Sequence, residues 1–260
     1  MEAARPLLEV HGLSKSFRGL QALRDYELRL DPLAIHGVIG PNGAGKTTLF
    51  HVLSGFLRPS TGTIAFDGRD ITGSPAHAVS KLGMGRTFQN IRLFGDLSAL
   101  DNVKVGLERH ARASFFGMIG TSPAFRRIER DLDARARELL GMFGLAAHAD
   151  HLARNLAYGD QRRLEIARAV GTRPKLLLLD EPNAGMNPME TQELLGLIRR
   201  LRDQLGITVI LVAHDIPLVM NLCDRIQVLN YGRLIAEGDP PTVRSNPDVI
   251  SAYLGQARRA

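Results

Sequence analysis

A glycine-rich segment at residues 40–48 places the strongest constraint on the fold and ligand of this chain. It fits the pattern Gly-x4-Gly-Lys-Ser/Thr and consists of Gly40, Pro41, Asn42, Gly43, Ala44, Gly45, Lys46, Thr47 and Thr48. Residues 35–39 before it predict a buried strand, and residues 49–53 after it predict a helix. Glycines let the backbone approach an anion closely, and the N–H groups at a helix start attract one. The segment therefore predicts a loop that binds the phosphates of a nucleoside triphosphate.

Two side chains of this loop have expected roles. Lys46 is expected to contact the β- and γ-phosphates, and Thr47 offers a hydroxyl oxygen to Mg²⁺. A glycine-rich turn that matches the pattern by accident is the alternative interpretation. The predicted strand before the loop and the predicted helix after it argue against that alternative.

The composition narrows the class of protein. The 260 residues include no apolar run long enough for a membrane-spanning helix, and the N-terminal residues lack the apolar core of a signal peptide. A single cysteine, Cys223, rules out an internal disulfide and favours a reducing compartment. The net charge of +6 is compatible with nucleic acid or an anionic membrane, but no tryptophan and only four tyrosines are present to stack on bases. A cytoplasmic protein that does not bind nucleic acid is expected.

The pattern of apolar residues predicts an α/β fold. Apolar runs at residues 176–179 and 208–212 predict buried parallel strands, separated by a helix over residues 189–205. The other predicted elements are a turn-rich stretch at residues 12–19, strands at residues 7–10, 22–30 and 63–66, a hairpin at residues 226–236 and a helix at residues 247–254. The first third thus adds an antiparallel β subdomain to the core that carries the phosphate-binding loop.

A segment of helical character interrupts this core. Residues 100–108 and 124–143 show helical spacing, and the apolar face of the second stretch is formed by Ile128, Leu132, Ala136, Leu139 and Leu140. A connector at residues 114–123 joins the two helices. We predict one domain over residues 1–260, with a phosphate-loop NTPase (RecA-like) core and its β subdomain at 1–92 and 158–260, and an inserted α-helical subdomain at 93–157.

Chemically active side chains follow both buried strands. Asp180 and Glu181 come directly after the run at residues 176–179, and strand-end acids usually serve a cation or a hydrogen-bond network. Asp180 has the position of the acid that holds Mg²⁺ in phosphate-loop enzymes, and Glu181 is the candidate base for an attacking water. Two solvated acids that cap a strand are the alternative. His214 follows the second run, and the residues alone leave a structural role and a γ-phosphate contact equally open.

Two further segments are less informative by themselves. Gln89 is an isolated glutamine, which is usually polar surface. In residues 155–169, a glycine turn at Gly159 precedes an amphipathic helix whose inward face is expected to carry Leu164, Ala167, Ala169 and Val170. The start of this helix is a second candidate anion site, although the residues do not identify the anion.

Taken in order, these segments resemble the ATP-binding-cassette (ABC) ATPases over nearly the whole chain. The family's motifs correspond here to the loop at residues 40–48, the glutamine loop at Gln89, a signature segment, the acids Asp180 and Glu181, and the histidine His214. The signature segment consists of Leu156, Ala157, Tyr158, Gly159, Asp160 and Gln161. Phe17 matches the aromatic residue that stacks on adenine in this family, and a core aromatic is the alternative for it.

The resemblance implies a head-to-tail dimer with ATP between the phosphate-binding loop of one cassette and the signature segment of the other. Glu181 would be the catalytic base, assisted by His214, and Mg²⁺ would be held by Thr47, Gln89 and Asp180. Gln89 would also take part in catalysis by coupling the γ-phosphate to the helical subdomain. Closure of the dimer on ATP would do work on transmembrane permease subunits. A periplasmic binding protein would deliver the substrate to these permeases. The chain is then expected at the cytoplasmic face of the inner membrane, as a peripheral subunit without nucleic acid.

Two departures from the family pattern are visible. The signature usually reads Leu-Ser-Gly-Gly-Gln, and Ala157 replaces its serine, which removes one expected donor to the γ-phosphate. Tyr158 and Asp160 alter the middle of the signature. Asn187 stands where an aspartate is usual. Because Glu181 is intact, ATP hydrolysis is still expected.

Three stretches, at residues 86–94, 155–168 and 246–255, closely resemble the ATP-binding subunit of branched-chain amino-acid importers, as do the extra residues around 114–127. Urea or amide importers and lipopolysaccharide-export ATPases share much of this sequence. A soluble ABC ATPase acting on nucleic acid is less favoured, because the chain has neither a second cassette nor a long coiled-coil insert. The intact catalytic residues argue against a non-hydrolysing module. The transported substrate and the choice between a homodimer and a heterodimer stay open.

Overall fold

Two units make up the part of the chain that the computed structural model describes, residues 5–108 and 123–257. The sheet unit lies within Met1–Arg86, Lys175–Pro182 and Ile198–Ala260, and the helical unit lies within Thr87–Pro174 and Asn183–Leu197. Of the predicted connector, residues 114–122 lie outside the described residues. In the described ranges, no helix is long and apolar enough to cross a membrane.

Strands and helices are mixed along the chain, as in an α/β protein. The strands are β1 Leu8–Phe17, β2 Leu20–Leu30, β3 Ile35–Ile39, β4 Thr61–Phe66, β5 Arg69–Asp70, β6 Met84–Arg86, β7 Leu176–Asp180, β8 Thr208–Val212, β9 Arg225–Asn230 and β10 Arg233–Gly238. The helices are α1 Lys46–Leu53, α2 Ala76–Lys81, α3 Ala99–Glu108, α4 Pro123–Met142, α5 Tyr158–Gly171, α6 Pro188–Leu205, α7 Ile216–Leu222, α8 Pro240–Ser245 and α9 Pro247–Ala257. The predicted α/β class is confirmed.

The sheet unit contains two sheets of different character. One is antiparallel with the order β2-β1-β4-β5, which agrees with the predicted antiparallel strands. The other has the order β10-β9-β3-β8-β7-β6 and is parallel except for β10. Every residue of β3, β7 and β8 is buried, as expected for parallel strands covered on both faces. In such sheets, ligands bind beyond the carboxyl ends of the strands.

Two predicted element bounds are wrong. The turn-rich stretch at residues 12–19 is mostly strand, since β1 continues to Phe17. The pairing of β1 with β2 shifts register between Val10 and Ser16. Such irregularities let a strand continue through glycine and polar residues. The predicted turn at Gly159 is also wrong, because α5 begins at Tyr158 and Gly159 lies in its first turn. A Cβ at Gly159 would lie 2.9 Å from Glu190 Oε1, so the glycine lets the Glu190 side chain pack closely on this turn.

The helical unit is built on α3, α4 and α5. On the predicted apolar face of α4, Leu132, Ala136 and Leu140 are buried, whereas Ile128 and Leu139 are half-buried. On α5, Leu164, Ala167 and Val170 are buried as predicted, whereas Ala169 is only half-buried. The helical unit includes the predicted subdomain at residues 93–157 and extends beyond it. The subdomain boundaries themselves stay a prediction.

A buried polar contact joins the two sheets of the sheet unit. Tyr26 of β2 donates its hydroxyl hydrogen to Gln227 Oε1 of β9, and burial raises the pKa of this tyrosine. Gln227 Nε2 in turn donates to the backbone oxygen of Glu27 at 2.9 Å and to a Glu237 carboxylate oxygen at 3.0 Å. Because each polar group is satisfied, the contact fixes how the sheets pack without the cost of an unpaired buried group.

The start of α6 explains one departure from the family pattern. Asn187 Oδ1 accepts a hydrogen bond from Glu190 N at 3.0 Å, and Glu190 Oε2 accepts one from Asn187 N at 2.9 Å. This reciprocal pair is a capping box, with Pro188 as the first helical residue. Asparagine and aspartate cap a helix about equally well, so the capping role does not require aspartate.

The variant Tyr26→Phe tests the contact between the sheets. Removal of the hydroxyl leaves Gln227 Oε1 without this donor, and we expect the free energy of unfolding to fall by about 1–3 kcal/mol. Urea denaturation measures this change. Tyr231→Phe, at a tyrosine that is 70% exposed, is the matched control and should be neutral. Equal stability of both variants would contradict the proposed role of the contact.

Substitutions at Asn187 test the capping box. Asn187→Ala is expected to lower the free energy of unfolding by about 0.5–2 kcal/mol, because the first turn of α6 loses its side-chain acceptor. Asn187→Asp retains the acceptor and should match the parent protein. The comparison is made by urea denaturation of the three proteins, and a loss in the aspartate variant as large as in the alanine variant would refute the capping role.

Candidate functional site

The phosphate-binding loop has the backbone that its glycines predict. Gly40, Gly43 and Gly45 all have positive φ, at 152°, 78° and 106°. A Cβ on Gly40 would clash with the backbone oxygen of Leu229, and one on Gly45 would lie 2.5 Å from the backbone oxygen of Ala22. The loop therefore needs glycine both for its conformation and for its close packing against neighbouring backbone.

The lysine of this loop is folded back onto the loop. Lys46 Nζ donates to the backbone oxygens of Gly40 at 2.6 Å and Pro41 at 2.9 Å. Burial lowers the pKa of Lys46, while the charges of Glu181 and Asp180 act in the opposite direction. An ammonium has three hydrogens, so this side chain is suited to hold the loop closed and also to bind a phosphate oxygen.

The start of α1 lies at the same loop. Gly45 is the N-cap of α1, and Lys46 is its first residue. The first N–H groups of a helix have no intrahelical acceptor, and they carry a partial positive charge. Asn42, Gly43 and Thr47 are exposed here, so a phosphate group has access to the helix start.

Asp180, at the end of β7, is a buried carboxylate with a cationic partner. Its Oδ2 lies 3.2 Å from Arg86 Nη2, with both side chains at most 6% exposed. Burial raises the pKa of Asp180, and the Arg86 guanidinium opposes that rise. Arg86 also donates to Ser54 Oγ at 2.8 Å and lies over the rings of Phe50 and Phe56. Sequence reasoning missed Arg86, although it stands only three residues before Gln89.

The oxygen donors at this site suit a magnesium ion. Mg²⁺ prefers hard oxygen ligands, usually one or two carboxylates together with water and phosphate oxygens. The exposed Thr47 hydroxyl and the Asp180 carboxylate belong to this class. A carboxylate whose pKa is raised by burial also gains stability from a nearby cation. The residues present therefore fit Mg²⁺.

Glu181 and His214 meet at the ends of β7 and β8. Glu181 Oε1 lies 2.5 Å from His214 Nε2, and the Glu181 side chain is 15% exposed. Glu181 has a φ of 48°, an uncommon conformation for a residue with a side chain. Its N–H donates to the backbone oxygen of Val212 at 2.8 Å. A carboxylate held against an imidazole at a strand end is suited to accept a proton from water.

Phe17 lies at the end of β1 and is 40% exposed, so it is not part of the core. Lys15 Nζ lies 5.0 Å from the centroid of its ring. An exposed aromatic face of this kind is available to stack on a flat ligand.

The remaining predicted residues belong to the helical unit. Gln89 is exposed, and Leu156 is buried. Ala157 is the N-cap of α5 and makes no side-chain cap, so the missing serine also removes a helix cap. Tyr158 packs on Gly185, where an added Cβ would lie 2.8 Å from Tyr158 Cε1.

Polar contacts hold the rest of the signature segment in place. Asp160 accepts a hydrogen bond from Arg163 Nη2 at 2.6 Å, and Arg163 Nη1 reaches Glu193 at 3.0 Å. Gln161 Nε2 donates to the backbone oxygen of Leu156 at 2.9 Å. The segment therefore starts α5 as an ordered, partly exposed surface.

Another contact was not visible in the sequence. Tyr253 of α9 lies against the backbone of Gly40, and burial raises the pKa of this tyrosine to about 12. The C-terminal helix thus touches the first residue of the phosphate-binding loop. No sequence pattern links these two positions.

Thus the sheet unit brings together the loop at residues 40–48, Asp180, Glu181 and His214, and it also holds Phe17. Gln89 and the signature segment at residues 156–161 lie in the helical unit.

Comparisons with known proteins identify the family of this chain. The family model described as "ABC transporter" matches residues 23–184, and the model described as "Branched-chain amino acid ATP-binding cassette transporter" matches residues 233–258. The chain is 47% identical to BraF of Pseudomonas aeruginosa, a "High-affinity branched-chain amino acid transport ATP-binding protein", over 98% of this chain and 100% of BraF.

Two solved structures extend the comparison. The ADP conformation of MJ1267, an ATP-binding cassette of an ABC transporter, has a TM-score of 0.83 and 28% identity, covering 96% of this chain and 99% of MJ1267. The dimeric post-hydrolysis state of the cassette MJ0796, bound to ADP and Pi, has a TM-score of 0.75 and 25% identity, covering 90% of this chain and 98% of MJ0796. By the family model over most of its length and the identity to BraF, this chain belongs to the ABC transporter family, as one of its ATP-binding cassettes.

Proposed function

We propose that this chain is the ATP-hydrolysing subunit of an importer for branched-chain amino acids. The observation that carries the proposal is the near-full-length identity to BraF, whose name gives it that transport role. The C-terminal match at residues 233–258 favours this substrate class over urea, amides or lipopolysaccharide. The matched residues 233–258 include α9, whose Tyr253 lies against Gly40.

The nucleotide would be held mainly by the sheet unit. The exposed ring of Phe17 is suited to stack on adenine, and the loop at residues 40–48 offers N–H groups and Lys46 to the phosphates. Mg²⁺, held by Thr47 and Asp180 and joined by Gln89, would neutralise charge on the β- and γ-phosphates.

Hydrolysis would use the pair of Glu181 and His214. A water oxygen attacks the γ-phosphorus, its proton passes to the Glu181 carboxylate, and the bond to the β-phosphate oxygen breaks to leave ADP and inorganic phosphate. His214 Nε2, 2.5 Å from Glu181 Oε1, fixes the orientation of the carboxylate and is suited to contact the γ-phosphate. Positioning and electrostatics supply most of the rate enhancement in such a reaction.

A second cassette would complete the site. The signature segment of one chain, at residues 156–161, would cover the γ-phosphate bound to the other chain, as either a homodimer or a heterodimer. The dimeric state of MJ0796 bound to ADP and Pi supports the pairing of two cassettes. At α5, the N–H groups of the helix start would bind the phosphate, since Ala157 supplies no hydroxyl.

The dimer would act on transmembrane permease subunits at the cytoplasmic face of the inner membrane. A periplasmic binding protein would determine which amino acid is delivered, so its contact with this chain is indirect. The helical unit, which carries Gln89, would receive the permease and transmit nucleotide binding to it. No nucleic acid is involved in this proposal.

Glu181→Gln tests the assignment of the base. The amide does not accept the proton, so the rate of ATP hydrolysis should fall by about 10²–10⁴-fold while ATP binding is retained. Phosphate release measures the rate, and fluorescent ATP measures binding. Glu138→Gln, at an exposed position on α4, is the matched control and should hydrolyse at the parent rate. Hydrolysis by Glu181→Gln at the parent rate would show that another group is the base.

Transport by the assembled complex tests the substrate. Proteoliposomes that contain this chain, its permease subunits and its binding protein should accumulate radiolabelled leucine, isoleucine or valine when ATP is enclosed with the cassettes. The Glu181→Gln complex should not accumulate them. ATP-dependent uptake of urea without uptake of these amino acids would overturn the proposed substrate class.

A further inference from the structure

Helix α5 carries a buried ion pair that the proposed ATP chemistry does not use. Arg162 Nη1 lies 2.9 Å from Glu165 Oε2, and the two side chains are 0% and 2% exposed. Removal of two charges from water costs several kcal/mol for each ion, so a buried pair persists only where further hydrogen bonds satisfy it. Apolar residues of similar size are often equally or more stable in such places. Stability alone therefore does not account for the pair.

The further hydrogen bonds all go to the backbone of the glutamine loop. Arg162 donates from Nη1 to the oxygen of Phe88 at 2.6 Å and from Nη2 to the oxygen of Gln89 at 2.7 Å. Glu165 Oε1 accepts a hydrogen bond from Arg92 N at 3.1 Å. Two side chains on one helix thus hold three peptide groups of the segment at residues 88–92.

The next turn of α5 adds a contact to the same segment. Arg168 donates from Nη2 to the oxygen of Arg92, and its guanidinium lies 5.3 Å from the centroid of the Phe94 ring. Burial raises the pKa of Glu165, while the Arg92 N–H and Arg162 oppose that rise. The carboxylate and guanidinium therefore stabilise each other, and both need the loop backbone in place.

The link uses the backbone of Gln89 through its carbonyl oxygen, and the Gln89 side chain is exposed. The same residue is thus fixed to α5 through its carbonyl oxygen. The signature segment forms the beginning of that same helix, since α5 starts at Tyr158.

We propose that Arg162 and Glu165 are positioning residues that fasten the glutamine loop to the signature helix. When nucleotide binding displaces Gln89, residues 156–161 are then displaced with it, because the two motifs move as one rigid body. The role of this movement in transport rests on the proposed function. The link between the glutamine loop and α5 is a property of the isolated chain and does not depend on it.

The double variant Arg162→Met with Glu165→Leu tests the link, because it removes both charges and leaves no unpaired ion. We expect it to fold, because apolar side chains of similar size replace the two buried ions. Hydrogen exchange of the Arg92 amide, which is bound to Glu165 in the parent, should become about tenfold faster or more in the nucleotide-free chain. Arg137→Met with Asp150→Leu removes an exposed pair from the helical unit and is the matched control. Parent-like exchange at Arg92 in the first double variant would overturn the inference.

A second measurement distinguishes a role in coupling ATP hydrolysis to transport from a purely structural role of the ion pair. In the assembled transporter, the double variant should hydrolyse more ATP for each leucine transported, by about 2- to 30-fold, which is the range found for residues along coupling networks. A merely structural pair would lower hydrolysis and transport together and leave this ratio unchanged, and that result would also overturn the inference. Arg162→Lys, which lacks the forked guanidinium, should not restore the ratio. If the parent complex does not transport leucine, the proposed function fails, while the exchange measurement still tests the link.

Discussion

The parallel register of β3, β7 and β8 is the constraint on which the nucleotide site depends. Val38 and Asp180 both pair with Val212, so these three residues form one row across the sheet. The residues that follow the row are the phosphate-binding loop, Glu181 and His214. A shift of one residue in any strand would turn its side chains to the opposite face. Apolar strands buried on both faces hold this register, and they therefore also hold the distances between the chemical groups.

Each buried charge around this frame has a specific partner. Arg86 pairs across β6 and β7 with Leu178, and its side chain reaches Asp180, the next residue on that face. Lys46 is bound by two carbonyl oxygens of its own loop. In the helical unit, Arg162 and Glu165 pair with each other and are hydrogen-bonded to backbone groups of the glutamine loop. Such directional contacts add little net stability, but they specify one arrangement of the loops.

Much of this fold follows from sequence periodicity and glycine placement. The continuous apolar runs predicted the central strands, and the glycine-rich pattern at residues 40–48 predicted the loop between β3 and α1. The length of β1 was not predictable, because bulges let a strand pass through residues that usually mark a turn. The start of α5 was missed because Gly159 serves close packing against Glu190, a contact distant in sequence.

Some site residues could be predicted from the sequence, and others are visible only in the structure. Asp180, Glu181 and His214 could be selected because they follow predicted strands, whereas Arg162 and Glu165 look like the solvated face of an amphipathic helix. Only tertiary structure shows that these two charges are buried. The contact of Tyr253 with Gly40 likewise joins two positions that no local pattern relates.

The central claim is that the loop at residues 40–48 is one half of a site that another subunit completes. The direct measurement is disulfide trapping in a Cys223→Ala background, between Asn42→Cys in this chain and a cysteine at the Ala157 position of a second copy or of a sister cassette. Both positions are exposed, and a disulfide requires the two Cα atoms to approach within about 7 Å. We predict a covalent link between two chains that forms with ATP and not with ADP. If neither pairing gives an interchain link while ATP is bound, the loop does not share its nucleotide with a second signature segment.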